Sequence, residues 1–140
     1  MREILFKAKR IDNGEWVYGS YVYTFCEDKN GIVVGVKVEK HWIVEESGNM
    51  VWVDKDTICQ CTGLNDKNGK LIWENDVVKQ FYDCNELGNS LYFFYQIRWN
   101  NEYSAFEGYE IYTKETVLFP DLEDIEVIGN IFDNPELMNE

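Results

Sequence analysis

Thr62-Gly63-Leu64-Asn65-Asp66-Lys67-Asn68-Gly69-Lys70-Leu71-Ile72-Trp73-Glu74-Asn75-Asp76-Val77-Val78 is the stretch on which the reading of the fold turns. Turn formers from Asn65 to Gly69 stand between apolar anchors, Leu64 on one side and Leu71, Ile72 and Trp73 on the other. That arrangement predicts a tight chain reversal between two extended segments. Gly63 and Gly69 suit positions of positive φ, Asp66 suits a side-chain to backbone bond within the turn, and Trp73 suits a core anchor. Glu74-x-Asp76 is expected to place two carboxylates on one face of an extended segment, a turn with a solvated strand edge rather than a catalytic pair.

Working outward, the same alternation of strands and turns continues in both directions. Upstream, residues 4–8 and 14–24 read as a strand pair reversed at Ile11-Asp12-Asn13-Gly14, with period two along Trp16-Val17-Tyr18-Gly19-Ser20-Tyr21-Val22-Tyr23. Asp28-Lys29-Asn30-Gly31 predicts a second turn, followed by separate strands at Ile32–Val38 and Trp42–Val44, a reversal at Ser47-Gly48-Asn49 and a strand at Met50–Val53. Downstream, a strand is expected over Asp76–Phe81, a polar loop over Asp83–Ser90, and a central strand over the aromatic run Leu91–Trp99. Asn100-Asn101-Glu102 turns the chain into Ala105–Tyr112, and Ile125–Ile131 supplies a last strand. Asn134-Pro135-Glu136-Leu137-Met138 reads as a short helical turn with Pro at its start, and Leu118–Asp124 as another. Closely spaced strands with little helix predict an all-β barrel or roll. The expected boundary lies near residues 58–62, giving an N-terminal β-hairpin region, 1–60, and a small barrel, 61–140.

Composition agrees with that class. Over 140 residues, 45% apolar content is enough for a core, and 16% aromatic residues favour strands. The net charge is −13, and from Asp121 to Glu140 there are seven carboxylates and no Lys or Arg. Such a field repels phosphate backbones, so direct nucleic-acid binding is not expected. A solubilising surface is the first reading of the acidity, and an acidic face for a basic partner the second. The opening residues lack the apolar run of a signal peptide, and no stretch is long and apolar enough to cross a membrane as a helix. A cytoplasmic protein is therefore expected, with Cys26, Cys59, Cys61 and Cys84 as reduced thiols.

Candidate chemistry is thin. Cys59-x-Cys61 would put two sulfurs on one side of a strand, but zinc sites usually use a wider gap and a second ligand pair, and Cys26 and Cys84 do not supply that spacing. Small buried hydrophobes are the better reading of these thiols. His41 is the one histidine and has no nucleophile motif beside it, so it is expected on the exposed face of its strand. There is no GxGxxG or Walker sequence. The aromatics between Tyr92 and Trp99, with Tyr103, Phe106, Tyr109 and Tyr112, are expected to pack in a core, since Arg98 and Lys114 are the only basic residues from Asn85 onward. No catalytic residue, metal ligand or cofactor is named.

Val53-Asp54-x-x-Thr57-Ile58-x-Gln60, followed by Thr62-Gly63-Leu64-x-Asp66-x-x-Gly69-x-x-Ile72-Trp73-Glu74-x-Asp76-x-Val78, resembles the YopX family of phage and prophage proteins of Gram-positive bacteria. Phe6-Lys7-Ala8 with Gly14-x-Trp16-Val17-x-Gly19, and Val127-Ile128-Gly129-Asn130-Ile131-Phe132-x-Asn134-Pro135-Glu136-Leu137, agree with it too. The resemblance implies a mainly β fold with an SH3-like roll in the C-terminal half, and it carries over no established biochemical activity and no catalytic or binding residue. The expectation is a non-enzymatic phage accessory protein that binds a protein partner, with copies of itself included. Asn65, Asp66, Lys67, Asn68 and Lys70, with neighbouring Trp73, form its candidate interaction surface. The rival expectation is an acidic decoy that occupies the nucleic-acid groove of a basic protein.

Overall fold

The computed structural model describes residues 4–28, 36–119 and 124–139. Its strands are β1 (Phe6–Lys9), β2 (Trp16–Asp28), β3 (Val36–Val44), β4 (Met50–Trp52), β5 (Cys59–Asn65), β6 (Leu71–Trp73), β7 (Asp76–Cys84), β8 (Ser90–Asn100), β9 (Ala105–Glu110), β10 (Thr116–Leu118) and β11 (Ile125–Asn130). Short 3-10 turns cover Lys55–Thr57 and Pro135–Met138, the second with Pro in its first turn as expected. The fold is mainly β with antiparallel sheets, and its contacts divide it into two compact units, Met1–Gln60 and Cys61–Glu140.

In the first unit, β1 pairs with β2 from Phe6↔Gly19 to Lys9↔Trp16, and β2 runs on to pair with β3 from Ser20↔Val44 to Asp28↔Val36. β3 pairs with β4, and a bridge between Arg10 and Val53 brings the end of β4 back beside β1. Period two does the sorting: Val17 points inward, while Tyr18 is exposed. Ala8, Val17, Ile43 and Val53 form the core, with Phe6, Tyr21, Val51 and Ile58 packed against it. Over the described residues Val36–Val44, the strands expected at 32–38 and 42–44 are joined into one, because Glu39-Lys40-His41 pairs in register with Tyr23-Thr24-Phe25 and the ladder is not interrupted. The expected turn over 28–31 and the start of the next strand fall at and beyond the edge of the described residues.

In the second unit the sheet order is β10-β9-β8-β7-β11, which places β8 at its centre. From Cys61 onward β5 pairs with β6, with a register irregularity between Cys61 and Asn65. Ile72, Val78, Tyr95, Ile97, Ile125 and Val127 form the core, joined by Phe93, Phe106 and Phe119. Two expectations change here. The polar loop expected over Asp83–Ser90 shrinks to its middle, because β7 and β8 stay paired out to Cys84↔Ser90. Leu118, expected to begin a helical turn, ends β10, while residues 120–123 of that segment lie outside the described residues.

Three hairpins share one loop. At Glu45–Asn49, Asp66–Lys70 and Asn85–Asn89 the first residue's N–H donates to the last residue's carbonyl, and a glycine N–H donates back to the first residue's carbonyl. Those glycines, Gly48, Gly69 and Gly88, have φ of +94°, +82° and +83°. A loop closed this way needs a left-handed residue before the return strand, which a Cβ would penalise.

Candidate functional site

The Asp66 loop sits on β5 and β6. Asp66 Oδ1 accepts the N–H groups of Asn68 and Lys70, each at 2.9 Å, and Oδ2 accepts the N–H of Val127 on β11, also at 2.9 Å. The Lys67 N–H donates to the Ile125 carbonyl at 3.1 Å, a second tie to the same strand. Burial alone would raise the Asp66 pKa, but those three N–H donors and the Lys70 charge outweigh it and hold the carboxyl below its usual range. Asp66 is thus a buried, ionised brace between the loop and β11.

Its neighbours in the motif do similar work. Thr62 Oγ1 donates to the Ile72 carbonyl at 2.7 Å and accepts the Leu64 N–H at 3.2 Å, and Gly63 has φ +79°. Trp73 is buried, and its backbone N–H donates to Asp76 Oδ2 at 2.9 Å. Glu74-x-Asp76 does not lie on an extended segment: Asn75 takes φ +71° in a turn between β6 and β7, and Asp76 turns inward. The Asn75 N–H donates to the Ile97 carbonyl at 2.7 Å, and Asn75 Oδ1 accepts from Gln96 Nε2 at 3.0 Å. The structure therefore divides the candidate surface. Asn65, Lys67, Asn68 and Lys70 are exposed, whereas Asp66 and Trp73 face inward. Of the exposed four, Lys67 lies 3.7 Å from Glu126, which Lys79 also approaches at 3.6 Å.

The remaining candidates resolve locally. Cys59 and Cys61 are buried free thiols; Cys59 Sγ donates to the Thr57 carbonyl at 3.3 Å and Cys61 Sγ accepts the Gly63 N–H at 3.4 Å. Cys84, expected to be buried, is exposed at the end of β7. Among the described residues no cluster of His, Cys, Asp or Glu is arranged to hold a metal ion. His41 is half-buried rather than on an open face: its Nδ1 lies 2.6 Å from the Tyr21 hydroxyl, its ring stacks on Tyr21 and contacts Tyr23. Glu110, a third buried carboxylate beside Asp66 and Asp76, accepts the N–H groups of Phe94, Tyr112 and Thr113. Burial pushes its pKa up, and those donors bring it below the ordinary value.

Two surface features carried no clear sequence signal. A groove of about 360 Å³ on the first unit is lined by Arg10, Ile11, Asp12, Trp42, Met50, Val51 and Trp52. Lys40 Nζ sits 4.9 Å from the Trp52 ring and 5.6 Å from that of Trp42, and Arg10 pairs with Asp12. On the second unit, β7 and β8 run past the last residues paired to their outer neighbours, Gln80 on β11's side and Tyr95 on β9's. Beyond those points they form a ribbon of two strands on which every residue from Phe81 to Ser90 is exposed. Phe81, Tyr82 and Tyr92, expected in the core or unplaced, are 44%, 49% and 37% exposed on it, and Leu87 at the tip is 86% exposed.

An acidic, mainly β protein whose most recognisable motif is a structural brace is what the fold and these residues define. The family model described as YopX protein matches residues 5–139, and the chain belongs to that family. No curated protein matches the chain.

Proposed function

We propose that the chain is a non-enzymatic phage or prophage accessory protein whose work is to bind another protein. The observation that carries this reading is the exposure of aromatic and apolar side chains on regular strands. Phe81, Tyr82 and Tyr92 do this on the second unit, with Leu87 at the hairpin tip, and Met50 and Trp52 on the first. Rigid aromatic surface of this kind costs little conformational entropy to present and dominates the energetics of interfaces. Two further facts support it. The three buried carboxylates among the described residues, Asp66, Asp76 and Glu110, accept backbone N–H groups, which is scaffold work. The family motif around Asp66 fixes the hairpin that presents Asn65, Lys67, Asn68 and Lys70.

The test is affinity capture with the tagged full chain from a Gram-positive host, followed by reciprocal capture with each retained protein purified. A partner that binds in both directions supports the reading. Retention of copies of the chain alone, with a matching mass by light scattering, replaces it with self-assembly. The decoy reading is favoured by one observation, the charge imbalance of residues 61–140, five Lys or Arg against sixteen Asp or Glu. DNA that competes a captured basic partner away from the protein would select it over a plain interaction module.

A further inference from the structure

The ribbon formed by β7 and β8 combines three properties. It is ordered, since Phe81↔Tyr92, Asp83↔Leu91 and Cys84↔Ser90 remain in register and Asn85 Oδ1 accepts the N–H groups of Leu87 and Asn89 at the tip. Each of its edges is free of a further strand among the described residues past Gln80 on β7 and past Phe94 on β8, whose carbonyl still accepts the Ile111 N–H. Its own charge is acidic: from Gln80 to Ile97 the charged side chains are Asp83 and Glu86, and Lys79 just before it lays its ammonium over Tyr92. A strand edge without a neighbour is a template for an added strand.

The rings on the ribbon already accept a cation. Lys79 Nζ lies 4.8 Å from the centroid of Tyr92, which itself meets Phe81 edge to face at 6.1 Å. Tyr82 stacks on Phe93 at 4.3 Å, leaving its outer face to solvent. Aromatic faces beside carboxylates recognise lysine and arginine by two attractions at once, ring quadrupole and ion pair. The surrounding unit reinforces this, because its acidic excess is far larger than that of residues 1–60, which carry eight Lys or Arg against ten Asp or Glu.

We propose that the ribbon of residues 81–92 is a docking edge for an extended, basic protein segment, in which Lys or Arg side chains alternate with small apolar ones. The backbone of the segment continues the ladder, its cations, which alternation sends to one face, meet Tyr92 together with Asp83 and Glu86, and Leu87 receives an apolar side chain near the tip. This proposal rests on the interaction reading above and names the partner chemistry for it.

The test uses the full chain and a fluorescein-labelled peptide that alternates arginine with valine, followed by anisotropy in low and moderate salt. The same peptide with glutamate in place of arginine is the control. Expected is binding of the basic peptide alone, weakened about tenfold or more by Phe81→Ser combined with Tyr92→Ser and by Glu86→Lys, and unchanged by Trp52→Ser on the other unit. Glu86→Lys changes an exposed side chain and keeps the ribbon folded, so it guards against loss by unfolding. Equal binding by all variants would reduce the effect to unspecific charge attraction and overturn the proposal. Binding of the glutamate peptide, or of neither peptide, would overturn it too. A partner captured under the interaction test that still binds the ribbon variants would overturn the proposal while leaving the interaction reading standing.

Discussion

At the scale of the residue, Asp66 decides most. Three backbone N–H groups converge on its carboxylate, one of them Val127 on a strand sixty-one residues later. Replacing it with Ala strands those donors, and a loss of about 3 kcal/mol is expected in urea unfolding. Asp66 and Glu110 both titrate below their ordinary range in the folded state. A depressed carboxyl stabilises the fold fully above its unfolded pKa and stops doing so as pH falls through the folded one. The midpoint difference between wild type and Asp66→Asn should therefore be largest near neutrality and shrink in acid; an unchanged difference at low pH would contradict the ionised brace. Gly69, at φ +82° with open space where a Cβ would stand, isolates backbone strain from packing. Gly69→Ala should cost about 1–2 kcal/mol, with no change in the core. Both residues were legible in the sequence because turn chemistry is local: an Asp and a Gly three apart specify the loop between them. Asp76 was not, because its role depends on Asn75 entering the left-handed region, which an Asn signals far less firmly than a Gly.

At the scale of the element, the hairpins show where sequence pattern stops. β8 was legible because its inner half is buried, with Tyr95, Gln96 and Ile97 all enclosed. The outer end of β7 past Phe81 was not, since a strand exposed on both faces has no period of two to display, and Asp83 to Ser90 has the composition of a loop. β10 escaped for the same reason: Thr116, Val117 and Leu118 are all exposed, and only their pairing with Tyr109, Gly108 and Glu107 makes them a strand. Pairing of this sort is held by few contacts, so the ribbon should open locally without loss of the sheet. Asn85→Ala removes the two tip bonds and should speed amide exchange over residues 81–92 while leaving the midpoint of global unfolding nearly unchanged. A fall in the global midpoint as large as that for Asp66→Ala would show that ribbon and core unfold together.

At the scale of the whole molecule the charge of −13 acts on stability and on recognition with opposite signs. Within residues 61–140, sixteen carboxylates against five cations repel one another more strongly in the compact state than in the expanded chain. Salt screens that repulsion, since the Debye length falls from roughly 30 Å at about 0.01 M to under about 5 Å at about 0.5 M. The melting temperature should therefore rise by a few degrees over that range, about 1 kcal/mol or less. The same screening weakens attraction between the acidic ribbon and a basic segment, so binding of the arginine peptide should weaken over the range in which the fold grows more stable. Hydrophobic docking of an uncharged strand would behave otherwise, holding its affinity or gaining from salt. Two measurements on one sample, a melting curve and an anisotropy titration at each salt concentration, thus separate the contribution of charge from that of the exposed rings. If affinity and melting temperature rise together, the rings and the strand edge carry recognition, and the acidity serves solubility alone.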